Sequence, residues 1–395
     1  MYNPYQIVNN IYYVGVNDRH KMFFENMIPL PNGVSYNSYL IVDEKVVLID
    51  TVDTAFCEQF LRQIKEILGN RVVDYVVVDH MEPDHSASLL ALIREYPEIQ
   101  IVGNVKTISM ITGFYDICKG FYEVGDGDTL SIGQHQLQFY LTPMVHWPEV
   151  MMTYDVTDKI LFSADAFGCF GTLDGAVVDA KLQSLDKYWH EMYRYYANIV
   201  GKYGSAVQQA FKKLATLSIE TIASTHGPIW TSNRLPQVMS VYDKLSRYEG
   251  EKGVVVVYGS MYGHTEEMAE TVARGIVENG IPVVLHDVSK SHSADILADI
   301  FKYKGLIIGS PTYCNGLYPE IASLINKLEV RGVKNRIFGA FGSFTWAGTS
   351  VKNLNLFAEK MGWELIGTVE QKQSLSLENS KSLLELCNSM SLSIK

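Results

Sequence analysis

The chain has 395 residues, a length that predicts two domains, each large enough to bury a core of its own. Hydrophobic residues make up 47% and charged residues 19%, a globular balance that excludes a disordered or fibrous chain. The formal net charge of −11 argues against a nucleic-acid partner, because such proteins usually present a basic face.

Cysteine usage and the lack of long apolar runs indicate a cytoplasmic protein. The five cysteines are scattered and none forms a C-x-x-C pair, so we expect neither a disulfide framework nor a thiolate metal knuckle. The opening stretch MYNPYQIVNNIYYVG has no basic flank and no apolar core, so we expect no secretory signal. No run reaches about 18 apolar residues, so we expect no membrane span.

The first two thirds of the chain alternate short strands with helices. TAFCEQFLRQIKEILGN predicts an amphipathic helix that ends near Gly69, and SASLLALIREYPE predicts another. Seven β-branched or aromatic runs bounded by turn residues predict strands: IYYVGV, NSYLIV, KVVLIDT, VDYVVV, IQIVGN, LQFYLTP and KILFSAD. This alternation predicts two sheets with helices outside them.

Near residue 250 the pattern changes. After the polar stretch YDKLSRYEGEKG, the run VVVVYGS is typical of a fully buried parallel strand. The runs IPVVLHDV, GLIIGS, RIFGAFGS and ELIGTVE follow, separated by helical segments, and this rhythm is typical of a doubly wound parallel sheet. We therefore predict an α/β protein with two domains, residues 1–250 and residues 251–395.

The stretch VVVDHMEPDHSAS concentrates metal-binding side chains at the end of a predicted strand. Alternate side chains of an extended loop share one side, so we expect His80, Glu82 and Asp84 to converge. His85 is expected to point elsewhere at the start of the next helix, and Pro83 excludes a helix interior. The alternative is a polar strand-to-helix turn with Asp84 or Ser86 as its N-cap, which this density of ligands disfavours.

Three later strand ends carry further candidate ligands. LQFYLTPMVHWPE contains His146, KILFSADAFG contains Asp165, and IETIASTHGP contains His226. Taken singly, each is more simply explained as a turn residue or a satisfied histidine. Together they add two imidazoles and a carboxylate able to bridge two metals.

These residues resemble the metal site of the metallo-β-lactamase fold, whose loop normally reads H-x-H-x-D-H. Here Glu82 stands where the second histidine is usual. A carboxylate in place of an imidazole makes a site harder and more anionic, which favours iron, although softness alone leaves zinc and manganese open. We expect a carboxylate-rich pair of irons with positions open to small oxidising ligands.

The second predicted domain begins with a loop suited to a phosphate. VVVVYGSMYGHTEEMAE places residues 260–265 between a buried strand and a helix, where hydroxyls and backbone N–H groups cradle an anion. Neither the ATP-binding P-loop nor the dinucleotide fingerprint is present, so a monophosphate is favoured. Taken alone, this loop is equally well explained as a plain strand-to-helix turn.

Two further loops follow later strands of the same sheet. GSPTYCNG and GSFTWAG offer glycine, hydroxyl groups and one large aromatic each, Tyr313 and Trp346, for which core packing is the alternative role. The three loops together resemble flavodoxin, which implies FMN. The residues expected around FMN are Ser260, Met261, Tyr262, Gly263, His264, Thr265, Pro311, Thr312, Tyr313, Asn315, Gly316, Ser343, Phe344, Thr345, Trp346, Ala347 and Gly348.

A metallo-β-lactamase-like domain with H-x-E-x-D-H, followed directly by a flavodoxin-like domain, resembles the flavodiiron proteins (A-type flavoproteins) over nearly the whole chain. The resemblance implies an αββα sandwich followed by a doubly wound sheet, with two non-haem irons and FMN as cofactors. The ligand sets it implies are His80, Glu82 and His146 for one iron, Asp84, His85 and His226 for the other, and Asp165 as the bridge. His85 is a ligand in only some members.

The resemblance also implies an activity and partners. Members reduce dioxygen to water, nitric oxide to nitrous oxide, or both, and form head-to-tail homodimers, in some cases dimers of dimers. In such a dimer each FMN lies beside the irons of the other subunit. The chain carries no C-x-x-C rubredoxin module, so we expect a separate electron donor such as rubredoxin or another redox protein.

Some residues and alternatives stay open at this point. Tyr195, Phe23 and Phe24 are candidates to line the substrate pocket, with core packing as the alternative for each. The chain departs from common family residues at His264 and at Phe344–Thr345, positions that bear on the flavin potential. The rival functions are a dinuclear zinc hydrolase with a flavodoxin-like appendage and a non-catalytic flavin electron carrier.

Overall fold

A computed structural model of the protein describes residues 5–394, which divide into two compact units. The first unit comprises the chain up to Tyr195 together with Ser205–Asp243. The second comprises Tyr196–Gly204 together with the chain from Lys244 onward. The short segment Tyr196–Gly204 therefore groups with the second unit, which no feature of the sequence indicated.

The strands of the first unit are short, and each of the seven predicted runs contains one. In chain order they are β1 (Tyr5–Val8), β2 (Ile11–Tyr13), β3 (Val16–Asp18), β4 (Phe23–Phe24), β5 (Ile28–Pro29), β6 (Val34–Tyr36), β7 (Tyr39–Val42), β8 (Val46–Ile49), β9 (Tyr75–Val77), β10 (Gln100–Gly103), β11 (Phe121–Glu123), β12 (Thr129–Ser131), β13 (Gln136–Leu141), β14 (Met151–Asp155), β15 (Ile160–Phe162), β16 (Thr221–Ala223) and β17 (Trp230–Thr231). The strand β14, MMTYD, is fully buried and was not predicted, because its two methionines give no strand signal.

Most of these strands belong to two sheets. The first sheet, in the order β1-β2-β7-β8-β9-β10-β11, is antiparallel up to β8 and parallel beyond it. The second, in the order β12-β13-β14-β15-β16-β17, is antiparallel except between β15 and β16. The rings of Tyr39 on β7 and Phe162 on β15 lie 5.2 Å apart, so the two sheets share one core.

The first unit has seven α-helices among the described residues, and the sequence analysis placed two of them. The seven are α1 (Cys57–Leu68), α2 (Pro83–Ser86), α3 (Leu89–Glu95), α4 (Val105–Tyr115), α5 (Asp186–Tyr195), α6 (Gly204–Leu214) and α7 (Leu235–Ser246). Helix α1 buries Phe60, Ile64 and Leu68 at i, i+4 spacing and ends at Gly69, whose φ of 58° is readily adopted only by glycine. In SASLLALIREYPE, α3 begins only at Leu89, and a separate turn of helix, α2, precedes it.

The second unit is one parallel sheet between helices. Its strands are β18 (Glu251–Tyr258), β19 (Val283–Asp287), β20 (Tyr303–Pro311), β21 (Ile337–Phe344) and β22 (Glu364–Lys372), and its helices are α8 (His264–Glu278), α9 (Ser293–Lys302), α10 (Pro319–Arg331), α11 (Ser350–Met361) and α12 (Leu377–Ser393). The order β19-β18-β20-β21-β22, parallel throughout, is that of a flavodoxin-like doubly wound sheet, as predicted.

The core of the second unit forms where the valines of β18 meet two helices. Val254 and Val256 are fully buried and pack in one cluster with Met268 of α8 and with Leu386 and Met390 of α12. A parallel strand buried on both faces reads as a continuous apolar run, which is why VVVVY signalled this sheet. Within residues 5–394, no helix is both long and apolar enough to cross a membrane.

Candidate metal centre and flavin cavity

The seven predicted ligands are gathered at one end of the first unit's strands. His80 follows β9, and Asp165 follows β15. His146 lies between β13 and β14, and His226 follows β16. All seven residues are buried, each exposing 6% or less of its surface. Ionisable groups are rarely buried at this density unless they bind one another or a metal.

The loop geometry predicted for Asp84 was wrong. Pro83 starts the helical turn α2, so the chain is extended only as far as Glu82, which precedes the helix with φ −56° and ψ 139°. Proline is favoured at the first position of a helix because its missing N–H has no partner there. The turn directs Asp84 and His85 towards His226, away from His80 and Glu82.

His80, Glu82 and His146 form a first cluster. Nε2 of His146 lies 3.1 Å from Oε2 of Glu82, and Nε2 of His80 lies 3.4 Å from the same oxygen. The two imidazole Nε2 atoms are 3.3 Å apart. Two nitrogen lone pairs face each other at this distance only with a proton or a cation near both, so the arrangement suits a metal.

Asp84, His85 and His226 form a second cluster. Nε2 of His85 lies 3.3 Å from Oδ1 of Asp84, and Nε2 of His226 lies 3.4 Å from Oδ2 of Asp84. Neither contact has hydrogen-bond geometry, and both Asp84 oxygens and both Nε2 atoms lack a hydrogen-bond partner among residues 5–394. Buried polar atoms almost always have partners, so these four atoms fit a missing cation.

Asp165 lies between the clusters and offers one oxygen to each. Its Oδ2 is 3.0 Å from Nε2 of His146 and 3.3 Å from Nε2 of His80. Its Oδ1 is 3.1 Å from Nε2 of His85 and also accepts the hydroxyl hydrogen of Thr225. A carboxylate with one oxygen facing each cluster has the geometry of a bridge between two metal ions.

The acidic and basic groups of the site shift one another's proton affinities. Burial alone would raise the pKa of Glu82, but hydrogen bonds from His146 and His80 lower it to about 2. Burial alone would lower the pKa of His85, but Asp84 and Asp165 raise it to about 9. Burial would likewise lower the pKa of His146, but hydrogen bonds to Asp165 and Glu82 raise it to about 9. In the metal-free protein, protons therefore occupy the positions where a metal would bind.

Several residues that the sequence analysis missed support the ligands from behind. Oδ1 of Asp50 accepts the backbone N–H of Asp79 at 2.9 Å and thereby orients the chain entering the loop. Oε1 of Glu149 lies 2.9 Å from Nδ1 of His80, and the carbonyl of Ser35 lies 2.7 Å from Nδ1 of His226. These partners come from distant parts of the chain, so no local motif signalled them.

The three candidate pocket aromatics lie in different surroundings. Tyr195 is fully buried with its ring 5.5 Å from that of His226, and its hydroxyl has no hydrogen-bond partner among the described residues. Burial and nearby carboxylates, Asp165 first, raise its pKa well above 10, so the phenol stays protonated. Phe24 is buried 5.7 Å from His226, whereas Phe23 is 45% exposed.

The second unit contains a cavity of about 520 Å³ at the carboxyl ends of β18, β20 and β21. Fourteen of the seventeen residues predicted around FMN line it, and only the glycines Gly263, Gly316 and Gly348 do not. Cys314 and Gln373 also line it and were not predicted. Trp346 is 86% exposed and Tyr313 is 44% exposed, so neither serves mainly in core packing.

The end of this cavity that best suits a phosphate is the start of helix α8. Gly263 is the N-cap with φ 91°, a conformation that other residues rarely adopt, and no side chain caps the helix from that position. Ser260 and Thr265 line the cavity beside it. N–H groups and hydroxyls at a helix N-terminus match a phosphate, and the exposed aromatic rings nearby match a flat ring system.

Comparison with known proteins agrees with the fold of each unit. Residues 34–227 match the ODP family beta lactamase model, and residues 256–385 match the flavodoxin model. The anaerobic nitric oxide reductase flavorubredoxin of Citrobacter koseri is 33% identical over 96% of this chain and 79% of its own length. That of Escherichia coli is 34% identical over 96% of this chain and 80% of its own length. The chain belongs to the flavodiiron (flavorubredoxin) family.

Solved structures of the family share the fold over the whole chain. Rubredoxin oxygen:oxidoreductase of Desulfovibrio gigas superposes with a TM-score of 0.93 at 29% identity, covering 99% of this chain and 98% of the other. The flavodiiron protein of Giardia intestinalis gives 0.94 at 27% identity, covering 99% and 97%. This chain is therefore an oxidoreductase with FMN and a non-haem iron pair as cofactors, and the cavity and clusters described above fit them.

Proposed function

We propose that the protein reduces dioxygen to water, nitric oxide to nitrous oxide, or both, at two irons supplied with electrons by FMN. The observation that carries the proposal is the pair of buried clusters joined by Asp165, with Glu82 in place of the histidine usual in zinc hydrolases. The relatives support both gases, because one is named a nitric oxide reductase and another an oxygen oxidoreductase.

Each group of ligands has a proposed role. We assign one iron to the first cluster, the other to the second cluster, and the bridge to Asp165. His85 is included because its Nε2 points at Asp165 and Asp84 with no hydrogen-bond partner among the described residues. When bound, two ferrous ions and reduced FMN supply the four electrons that dioxygen needs, or the two that a pair of nitric oxide molecules needs.

The protein's own groups position the substrate and handle protons. The ring of Tyr195 lies 5.5 Å from that of His226, and its raised pKa keeps the phenol protonated, so the hydroxyl can donate a hydrogen bond to an oxygen atom of the substrate. The rings of Phe24 and Tyr195 pack around His226 and keep bulk water from that side of the second cluster. Ser260 and Thr265 are assigned to the FMN phosphate.

The partners follow from the proposed chemistry. The cavity of the second unit exposes large aromatic side chains, Tyr262 at 86% and Trp346 at 86%, a surface that a partner would cover. We propose that a second copy covers it in a head-to-tail dimer with an isologous interface. Two such dimers could associate into a dimer of dimers. Rubredoxin or another separate redox protein is proposed as the electron donor, in line with the name of the Desulfovibrio relative.

The first experiment is to measure metal and flavin in protein purified from iron-supplemented growth. We expect about two irons and one FMN per chain. Consumption of each gas would then be measured with the same chemical reductant, which separates gas preference from donor choice. Zinc that persists despite iron supply would favour the hydrolase, and bound FMN without metal would favour the electron carrier.

The oligomer has its own test. Analytical ultracentrifugation should give twice the chain mass or a multiple of it. A Glu82→Ala subunit is mixed with a Thr265→Val subunit from which the weakly bound FMN has first been removed. The mixture should regain part of the activity, because in a head-to-tail dimer the intact FMN and the intact metal site then meet across one interface. A mixture no more active than its two components would contradict the head-to-tail arrangement.

A further inference from the structure

Glu149 is buried beside the first cluster without belonging to it. The residue is 1% exposed, and its Oε1 accepts the backbone N–H of Met81 at 3.0 Å. The same oxygen lies 2.9 Å from Nδ1 of His80. A backbone N–H can only donate, so this oxygen is an acceptor, and Nδ1 of His80 must carry a hydrogen. In the metal-free protein Nε2 carries one as well and donates it to Glu82, and a metal would take the place of that second hydrogen. The lone pair of Nε2 then points into the first cluster.

The position of Glu149 is itself held by the fold. Its backbone carbonyl accepts a hydrogen bond from Nδ2 of Asn104 at 2.6 Å. Asn104 is the N-cap of α4, and its Oδ1 accepts the backbone N–H of Lys106 at 3.0 Å. Glu149 is therefore tied to a helix start on one side and to the ligand loop at Met81 on the other, which leaves its carboxylate little freedom to turn away from His80.

Among the described residues, no carboxylate is hydrogen-bonded to Nδ1 of either histidine of the second cluster. Behind His226 stands the neutral carbonyl of Ser35, at 2.7 Å from Nδ1. Nδ1 of His85 has no hydrogen-bond partner among residues 5–394. An anionic partner makes a ligating imidazole more electron-rich and fixes the orientation of its ring. A neutral carbonyl enriches the imidazole less, and an imidazole without a partner gains neither effect.

We infer that Glu149 is a positioning residue that holds His80 with Nε2 towards the metal and makes the first cluster the tighter of the two metal sites. The inference rests on the proposed function, because it takes both clusters as metal sites. Partners of this kind typically change metal affinity by about 10–100-fold. The difference between the two sites of the native protein should lie in that range.

The test is an equilibrium competition between the FMN-loaded protein and a chelator, with iron content measured by metal analysis. The native protein should lose its two irons in two separate steps. Glu149→Gln keeps an oxygen that can accept both hydrogen bonds but removes the charge. The chelator concentration that removes the tighter iron should therefore fall about tenfold, towards the concentration that removes the looser iron. Glu149→Ala should lower it by up to about 100-fold. The looser step should stay where it is.

Two controls separate positioning from a loss of structure. Asp155→Asn is the matched control, because Asp155 is a fully buried carboxylate whose Oδ2 lies 2.9 Å from Nδ1 of His135, away from both clusters. It should leave both steps unchanged. If Glu149→Gln does not fold, Glu149→Asp keeps the charge on a shorter stem and should show a smaller shift of the tighter step only.

The outcomes distinguish this inference from the proposed function. Native protein that binds no iron would overturn the proposed function. Native protein that binds two irons but releases them in one step, or Glu149 variants that match the native curve, would overturn only the inference. Equal shifts of both steps would also overturn it, because a general loosening of the fold weakens both sites, whereas a support behind His80 affects one.

Discussion

Removal of the metal should destabilise the first unit by several kcal/mol. Four atoms of the second cluster, the two carboxylate oxygens of Asp84 and Nε2 of His85 and of His226, are buried without hydrogen-bond partners among the described residues. Above about pH 9, where His85 has lost the proton that attracts Asp84, each such atom costs about 1–3 kcal/mol, so together they cost on the order of 4–12 kcal/mol. The whole free energy of unfolding of a domain is only about 5–15 kcal/mol. A bound cation would satisfy all four.

Calorimetry of the full protein at such a pH, before and after chelation, tests this expectation. For a unit of this size, each kcal/mol shifts the unfolding temperature by about 2–4 °C, so the first unit should unfold at least about 8 °C lower without metal. The second unit is the internal reference, since its transition can be followed through release of FMN fluorescence. If chelation leaves both transitions in place, the unpartnered atoms are not a metal site.

The pH dependence of the metal-free protein supplies an independent check with a definite sign. The pKa values of His85 and His146 are raised to about 9, above the 6.5 of a free histidine. Groups raised in this way stabilise the fold fully below pH 6.5, and the stabilisation is lost as the pH rises through about 9. The metal-free protein should therefore lose stability between pH 6.5 and 9. Iron-loaded protein, whose imidazoles are already deprotonated by the metal, should not.

Three substitutions test the rest of the site. Tyr195→Phe should lower the rate of gas consumption by about tenfold or more while the iron and FMN contents stay native, because only the phenolic hydroxyl is lost. Unchanged rates with both gases would remove Tyr195 from the mechanism. Thr265→Val should weaken FMN binding by about tenfold or more in a fluorescence titration, because a hydrogen bond to a charged phosphate is lost. The control is Thr271→Val, on the exposed side of the same helix, which should bind FMN normally. Glu82→His, which restores the H-x-H-x-D-H pattern, should raise the ratio of zinc to iron taken up from an equal supply, and an unchanged ratio would refute the role assigned to this carboxylate.

The parts of the site that were predictable lie at the ends of strands. Apolar runs mark strands reliably, and the polar residue that closes each run must lie near the rim of its sheet, as Asp165 and His226 do. The flavin cavity was predictable for the same reason, because loops at the carboxyl ends of parallel strands meet at one edge. Both predictions needed only local pattern and the geometry of sheets.

The parts that were not predictable depend on contacts between distant residues. The direction of Asp84 is set by the helical turn that Pro83 begins, and the extended pattern gave the wrong cluster for it. Glu149 is three residues from His146 in sequence, yet its hydrogen bond goes to His80, 69 residues away. Which of the seven gathered residues bind iron stays a prediction until metal is measured.

The charge of the ligand set connects Glu82 to redox chemistry. With neutral imidazoles, the three carboxylates Glu82, Asp84 and Asp165 carry three negative charges, where a histidine in place of Glu82 would leave two. Two ferrous ions bring four positive charges and two ferric ions bring six, so each added negative charge favours the oxidised pair more than the reduced one. A hydrolytic zinc site never changes its charge and gains nothing from this bias. A site that gives up electrons to a gas, as proposed for this protein, benefits from the bias, and Glu82 is the residue of the loop that would supply the added negative charge.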